Sequence, residues 1–334
     1  MVHRPVFSIL IAEHRQRGFG ESALQSAVSQ SFDTADFEVI VNRGFRDQNS
    51  EAVLQSRGAK LIFHSNNHRG EHMAELIRAS SGDILCFLDD DDLFVKQKLE
   101  TIYKIFAKAN DIGLVHNQRK YIDLNGIATE KSRFEHDIDY LLRQTAGFQL
   151  DASRILEVVR RHPFLAPDFN SSSISIRRSV VVPYLKYLEG CEGAVDTFLF
   201  YCALICGRQI AVIPDILTEY RVHTASTIHD PAYLQQMLNG YTEILRMCKL
   251  EGNLAIAESA QARLSLFQLY KSLKSVPLPR SDALGQWLEY LKFLGKFPPG
   301  KRSWGRLLFF GVPLLVLTGP QFLHRTQLTS SIEI

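Results

Sequence analysis

Short, continuously apolar runs alternate along the first half of the chain with segments whose apolar residues recur every three or four positions. The runs 6–12, 37–41, 61–64 and 84–88 are too short and too uniformly apolar for exposed amphipathic helices, and read as strands buried on both faces. Helical patterns cover 21–31, 48–56 and 71–80. Val95, Leu99, Ile102, Ile105, Phe106 and Ala109 form a further helical stripe, and a fifth strand is expected at 112–115. This alternation predicts an α/β fold with an open, mainly parallel sheet. Ligands of such sheets gather at the carboxyl ends of the strands, which brings Glu13, His14, Asn42, Arg43 and the aspartates after Leu88 to one edge.

From 120 to 169 the pattern is weak and polar, and reads as loops and short helices on the acceptor side. Periodicity returns with a strand at 173–176, a helix through Tyr184 and Leu188, a helix at 197–205, and strands at 209–213 and 217–220. Beyond Pro231 the spacing of Leu234, Met237, Leu238, Tyr241, Leu245, Ile256, Leu264, Phe267 and Leu273 is helical throughout. Two units are therefore expected: an α/β domain at 1–228 and a separate all-helical extension at 229–334.

A chain of 334 residues that is 46% hydrophobic can bury a large core. Thirty-eight basic against 36 acidic residues leave a net charge of +2, which lacks the broad basic footprint of a nucleic-acid binder. The five cysteines are unpaired by spacing and sit in apolar surroundings, as buried thiols of a reducing compartment do. The first strand follows His3, Arg4 and Pro5 with no signal-peptide pattern, so a cytoplasmic catalytic domain is expected.

The chemistry concentrates at Asp89, Asp90, Asp91 and Asp92, directly after the apolar run 84–88. Four adjacent carboxylates repel one another unless solvated or neutralised by a cation. Mg2+ or Mn2+ takes one or two protein carboxylates and completes its shell with water and phosphate oxygens, so the D-x-D spacing of Asp89 and Asp91 suits a diphosphate ligand. The plainer reading is an acidic turn capping the helix that follows. In isolation Asp196, before the 197–205 helix, reads as an N-cap, His223 as a structural residue at a strand end, and Arg177 and Arg178 as surface charge.

The words around these residues resemble family 2 glycosyltransferases over about residues 5 to 228. Ser81-Gly82-Asp83-Ile84-Leu85-Cys86-Phe87-Leu88-Asp89-Asp90-Asp91-Asp92, followed by Lys98-Leu99-Glu100, is similar to the donor-site segment of that family. The strand Ser8-Ile9-Leu10-Ile11 resembles its first βα unit, and Phe37-Glu38-Val39-Ile40-Val41 its second strand. Gly193-Ala194-Val195-Asp196-Thr197 resembles the segment holding the general base, and Glu219-Tyr220-Arg221-Val222-His223-Thr224-Ala225-Ser226 the end of the catalytic domain. The sequence departs from the pattern where Asn42 replaces an aspartate, where Val195 replaces a glutamate, and in the turn Ala12-Glu13-His14-Arg15.

The resemblance implies a Rossmann-like, mainly parallel sheet of glycosyltransferase A type and an inverting transfer from a nucleotide-diphosphate sugar to a saccharide or lipid-linked hydroxyl. It implies Asp196 as general base, Asp91 and His223 at a Mn2+ or Mg2+ ion, and Glu13, Asn42, Asp83, Asp89, Asp90 and Arg221 around the nucleotide sugar. The charge-free run 307–323 contains Gly311, Pro313, Gly319 and Pro320 and is slightly shorter than the roughly 20 residues of a spanning helix. With Lys296, Lys301, Arg302, Trp304 and Arg306 nearby, 301–323 is expected either to lie on a membrane surface at its inner face or to pack against protein, as in a homodimer. Surface polysaccharide synthesis would suit such contact. A nucleotidyltransferase is disfavoured because no glycine-rich loop follows the first strand, and a haloacid-dehalogenase-like phosphatase because Glu13 stands where its nucleophilic aspartate belongs. The remaining alternative is a nucleotide- or carbohydrate-binding protein that has lost catalysis.

Overall fold

The computed structural model describes residues 4–14, 16, 18–64, 68–130, 149–150, 157, 168, 170–223, 232–252 and 254–274. Most of the expected acceptor-side loop at 120–169, the Thr224-Ala225-Ser226 end of the third motif and the whole 301–323 segment lie outside the described residues.

Among the described residues nine strands form one sheet: β1 (Phe7–Glu13), β2 (Phe37–Arg43), β3 (Lys60–Phe63), β4 (Ile84–Asp89), β5 (Leu93–Phe94), β6 (Ile112–Ile122), β7 (Gln149–Leu150), β8 (Ile174–Arg177) and β9 (Gln209–Arg221). Their order is β3-β2-β1-β4-β8-β6-β9-β5, with β7 also on β9. Following the pairings across, β1, β2, β3, β4, β6 and β9 share one direction, while β5, β7 and β8 oppose it. The sheet is thus mainly parallel with one reversed strand, β8, inserted between β4 and β6.

Helices α1 (Gly20–Val28) and α4 (Lys98–Lys108) cover one face, with Leu54 of α2 (Gln48–Ser56) in the same core cluster. The other face is covered by α3 (Arg69–Ala79), the short α5 (Arg178–Val181) and α6 (Leu185–Leu188), and α7 (Val195–Ile205). Alternation along each strand divides the two layers: Leu10, Ile40, Leu85 and Phe87 face α3 and α7, whereas Ile9, Ile11, Val39 and Cys86 face α1 and α4. All five cysteines are free and four are buried, in keeping with core packing.

Three elements differ from the sequence expectation for identifiable reasons. β3 is the sheet edge and is partly exposed along its length, so an apolar run there was not buried on both faces. β6 continues to Ile122 because His116, Asn117, Gln118 and Arg119 are buried against β9; their polarity concealed the strand. β9 is a single strand whose exposed middle, Pro214 to Ile216, separates two apolar runs and lies by a register shift against β6.

The helical residues after 231 form α8 (Tyr233–Glu251) and α9 (Leu254–Lys274), which pack on α7. Tyr241, Ile244, Met247, Cys248, Ile256, Ala260 and Leu264 join the same core cluster as Phe198 and Tyr201 of α7 and Leu10 of β1. The pair shares a core with the sheet and is not a separate appendage. Its approach is set by two glycines: a Cβ on Gly240 of α8 would lie 2.1 Å from the carbonyl oxygen of Gly193, and one on Gly193 would meet the Gln236 backbone at 2.9 Å. The helix backbone therefore rests on the turn that precedes Asp196. No helix among the described residues is long and apolar enough to cross a membrane.

Candidate functional site

The site lies at the carboxyl edge of β1, β2, β4 and β9. Asp89 ends β4, and its carboxyl group with those of Asp91 and Asp92 brings one oxygen each to within 4.8 Å of the others. These aspartates do not cap the next helix: α4 starts at Lys98 after Gln97, with no side-chain cap. Asp92 is fully buried and both of its oxygens are taken, one by the backbone N–H of Arg221 at 2.9 Å and one by the Asn170 amide at 2.9 Å. Burial, reinforced by the charges of Asp91 and Asp89, pushes its carboxyl group up to about 8. Asp92 is a support within the triad. Asp90, also buried, stands between them.

Asp89 and Asp91 are only partly buried. Ser171 donates to Asp89 Oδ1 at 2.8 Å, and the Asp89 backbone N–H donates to Ser172 Oγ at 3.0 Å. His223 Nε2 lies 3.1 Å from Asp91 Oδ2, packed against the Phe19 ring. Arg221 spends its Nε on the Asp91 carbonyl at 2.8 Å and its Nη1 on the carbonyls of Asp123 and Leu124. It clamps the backbone beneath the acidic run, with its guanidinium over Phe19. A carboxylate-rich set with one imidazole fits a hard or borderline divalent ion such as Mn2+ or Mg2+, and Asp89, Asp91 and His223 are the side chains that would hold it.

Asn42 is aligned with this cluster by strand register. Ala12 pairs with Asn42 on one side and with Asp89 on the other, so both side chains leave the same face of the sheet about 10 Å apart, two strand spacings. The small Ala12 lies between them. Asn42 is fully buried; its Nδ2 donates to the His72 carbonyl at 3.1 Å and approaches Glu75, while Oδ1 has no hydrogen-bond partner. His14 stacks on His72 beside it, with ring centroids 4.5 Å apart.

Two residues expected at the nucleotide are placed elsewhere. Glu13 and Arg43 are the next register pair, so they point to the opposite face, where Arg43 Nε meets Glu13 Oε2 at 2.7 Å with both side chains buried. Glu13 lines a cavity of about 140 Å3 with Gly20, Arg43 and Ser50 below the sheet. Asp83 precedes the amino end of β4, exposed and paired with Arg4 at 2.9 Å. Six residues of strand put it about 20 Å from Asp89. Removing one partner of a buried pair strands the other charge, at a cost of about 3–5 kcal/mol. Glu13→Gln is therefore expected to lower thermal stability markedly while preserving nucleotide affinity, as a melting curve and calorimetry on the same variant would show.

Asp196 sits in the first turn of α7, whose N-cap is Ala194 in the left-handed conformation at φ 55°. Its Oδ1 accepts from the Thr197 N–H at 2.8 Å and its Oδ2 from the Asn170 N–H at 3.2 Å. Burial, followed by the neighbouring charge of Asp168, pushes its carboxyl group up to about 7. Ala194 and Asn170, at φ 75°, are the two non-glycine residues with positive φ among those described. Both adjoin Asp196, and such strained backbone persists where the surroundings over-determine it, often at functional sites.

Asp168 and the run Asn170 to Ser173, divided in the sequence between the expected acceptor-side loop at 120–169 and the strand at 173–176, link Asp196 to the acidic triad. Asn170 touches Asp196 and Asp92, Ser171 touches Asp89, and Ser172 receives the Asp89 N–H. Below it, Lys98 is fully buried and donates to Asn117 Oδ1 at 3.0 Å and Thr218 Oγ1 at 3.2 Å. The signal available was a run of small polar residues, Asn170 to Ser173, immediately before an apolar strand.

Residues 8–163 match the family described as "Glycosyl transferase family 2". Over that segment, just under half of its length, the chain is similar to family 2 glycosyltransferases. An uncharacterized glycosyltransferase of Nostoc sp. is 23% identical over 232 residues, covering 66% of this chain and 65% of that protein, just under two thirds of its length. Among solved structures, S. aureus TarS in complex with UDP-GlcNAc superposes with a TM-score of 0.57 at 18% identity, over 87% of this chain and 81% of that one. The mannosyltransferase of Pyrobaculum calidifontis in complex with GDP-Man and Mn2+ gives a TM-score of 0.52 at 14% identity, over 95% and 89%. At these identities the likeness is one of fold, the glycosyltransferase A architecture, which in this chain is followed by α8 and α9.

Proposed function

We propose that the chain moves a sugar, with inversion, from a nucleotide-diphosphate sugar to a hydroxyl group of a saccharide or lipid-linked acceptor. The observation that carries this is the tie between Asp196 and the acidic triad: Asn170 donates its backbone N–H to one and its side chain to the other. A general base and a diphosphate-binding cluster held by one residue suit a single displacement. Asn42 Oδ1, buried and without a partner, is an acceptor for an N–H of the base, on the same sheet face as Asp89. A divalent ion bound at Asp91, Asp89 and His223 would neutralise the charge that develops on the leaving diphosphate.

Asp196, ionised, takes the proton of the acceptor hydroxyl as its oxygen bonds to the anomeric carbon and the bond from that carbon to the diphosphate oxygen breaks. The carboxyl group is poised for this near neutrality. The test is a thermal-shift panel of UDP, GDP, dTDP and CDP, each with and without Mn2+. A ligand at a hundred times its Kd adds about 2.7 kcal/mol to the folded state. One nucleotide should raise the melting temperature with Mn2+ and much less without it. A flat response to all four would transfer the reading to a carbohydrate-binding protein.

A further inference from the structure

We propose that Arg263, from the C-terminal helix α9, is a positioning residue for Asp196, acting through Asp168; the inference rests on Asp196 being the base. Arg263 is 2% exposed and Asp168 fully buried. The guanidinium clasps the carboxylate with two bonds, Nη1 to Oδ2 at 2.7 Å and Nη2 to Oδ1 at 3.1 Å. This bidentate geometry fixes orientation as well as charge.

What the clasp holds is the start of the segment that reaches the reacting groups. The Thr197 side chain lies beside the Asp168 carboxylate, and the N–H of the same Thr197 donates to Asp196 Oδ1. Two residues after Asp168, the Asn170 N–H donates to Asp196 Oδ2. Both oxygens of the base are thus held by residues that neighbour Asp168, in space or along the chain, and Asp168 is held from α9. Asn170 is held at positive φ, a conformation that relaxes unless its flanks are anchored. Burial works to raise the Asp168 carboxyl group, but Arg263 outweighs it and keeps the group ionised. The charged and titratable groups facing Asp196 or its clasp are Asp168, Asp89, Arg263, Tyr201 and Tyr241. Arg263 supplies the cation among them. Without it, two buried carboxylates would face each other with no counter-charge, and Asp196 would hold its proton to higher pH.

The assay is hydrolysis, by release of nucleoside diphosphate in Mn2+, of whichever of UDP-GlcNAc, UDP-glucose, GDP-mannose and dTDP-glucose the wild-type chain cleaves fastest. Arg263→Met is expected to lower kcat about tenfold or more, part of the 10²–10⁴ available from a general base. It should shift the acidic limb of the pH profile upward by about one unit, and leave the nucleotide-induced thermal shift unchanged. Hydrogen exchange of the peptide spanning 168–172 should rise in the same variant. Arg263→Lys, which keeps the charge without the fork, should hold the limb in place while losing part of kcat, and serves if the methionine variant does not fold. Wild-type kcat, an unmoved limb and unchanged exchange beside an inactive Asp196→Asn would overturn this inference alone. Full hydrolysis by Asp196→Asn would overturn the base assignment and this inference with it.

Discussion

Asp91→Ala is expected to abolish the Mn2+-dependent stabilisation by nucleoside diphosphate and to reduce donor turnover by about a thousandfold. Of the three clustered carboxylates, Asp92 has both oxygens committed to Arg221 and Asn170, and Asp89 Oδ1 is engaged by Ser171. Asp91 is in contact with His223 and 15% exposed at its side chain, the aspartate best placed to accept a cation. Charge stabilisation on a leaving group is commonly the largest single contribution to such a displacement, and losing one contact of that kind costs about 10²–10³ in kcat. Loss of the metal itself costs more. The fold should survive, because the backbone of the acidic run is held by Arg221 through the Asp91 carbonyl and by Arg221 N–H on Asp92. Calorimetric titration of Mn2+ with nucleotide into the variant is the check; wild-type affinity would remove Asp91 from the site. His223→Ala should show a weaker effect of the same kind.

Asp196→Asn is the second large effect, a loss of about 10²–10⁴ in transfer with nucleotide binding intact. The neutral amide keeps the size of the side chain and cannot take a proton. The pH dependence follows from the carboxyl group standing at about 7. A base must be ionised, so wild-type kcat/KM is expected to rise with pH up to about 7 and to level off above it. The residual rate of the asparagine variant should lack that limb.

Stability runs in the opposite sense. The folded chain holds this proton more tightly than the unfolded chain, whose carboxyl group titrates at the ordinary value of 3.8. Between about pH 4 and 7 the folded state binds more protons, and its stability falls as pH rises through that window. Asp196→Asn therefore removes a neutral-pH penalty, and the variant should melt no lower than the wild type at pH 7.5. A marked drop in melting temperature, or retained transfer, would return Asp196 to a structural role.

Much of this arrangement was legible before the structure. The alternation of apolar runs placed β1, β2 and β4 within a residue or two, because strands buried on both faces must be apolar throughout. The carboxyl-edge rule then put Asp89, Asp91 and Asn42 together, and the structure has them on one edge. The same rule included Glu13, where it failed for a local reason. Adjacent residues of a strand face opposite ways, so Asn42 and Arg43 cannot serve the same face, and Glu13 follows Arg43. Asp83 shares a motif with Asp89, yet a strand stands between them.

By itself, the sequence determined the α/β class, the order of the first strands and helices, and the concentration of carboxylates after β4. These follow from periodicity and local charge, which neighbouring residues carry. Only the tertiary structure decided what surrounds those carboxylates. Because β8 runs against β4, its polar lead-in from Asn170 to Ser173 arrives at the carboxyl edge beside Asp89. Because Gly240 meets Gly193 backbone to backbone, α8 and α9 come close enough for Arg263 to reach Asp168. Strand direction and helix contact join residues 78 and 95 positions apart in Asn170–Asp92 and Arg263–Asp168. No local pattern encodes such pairings, since each exists only once the intervening chain has folded.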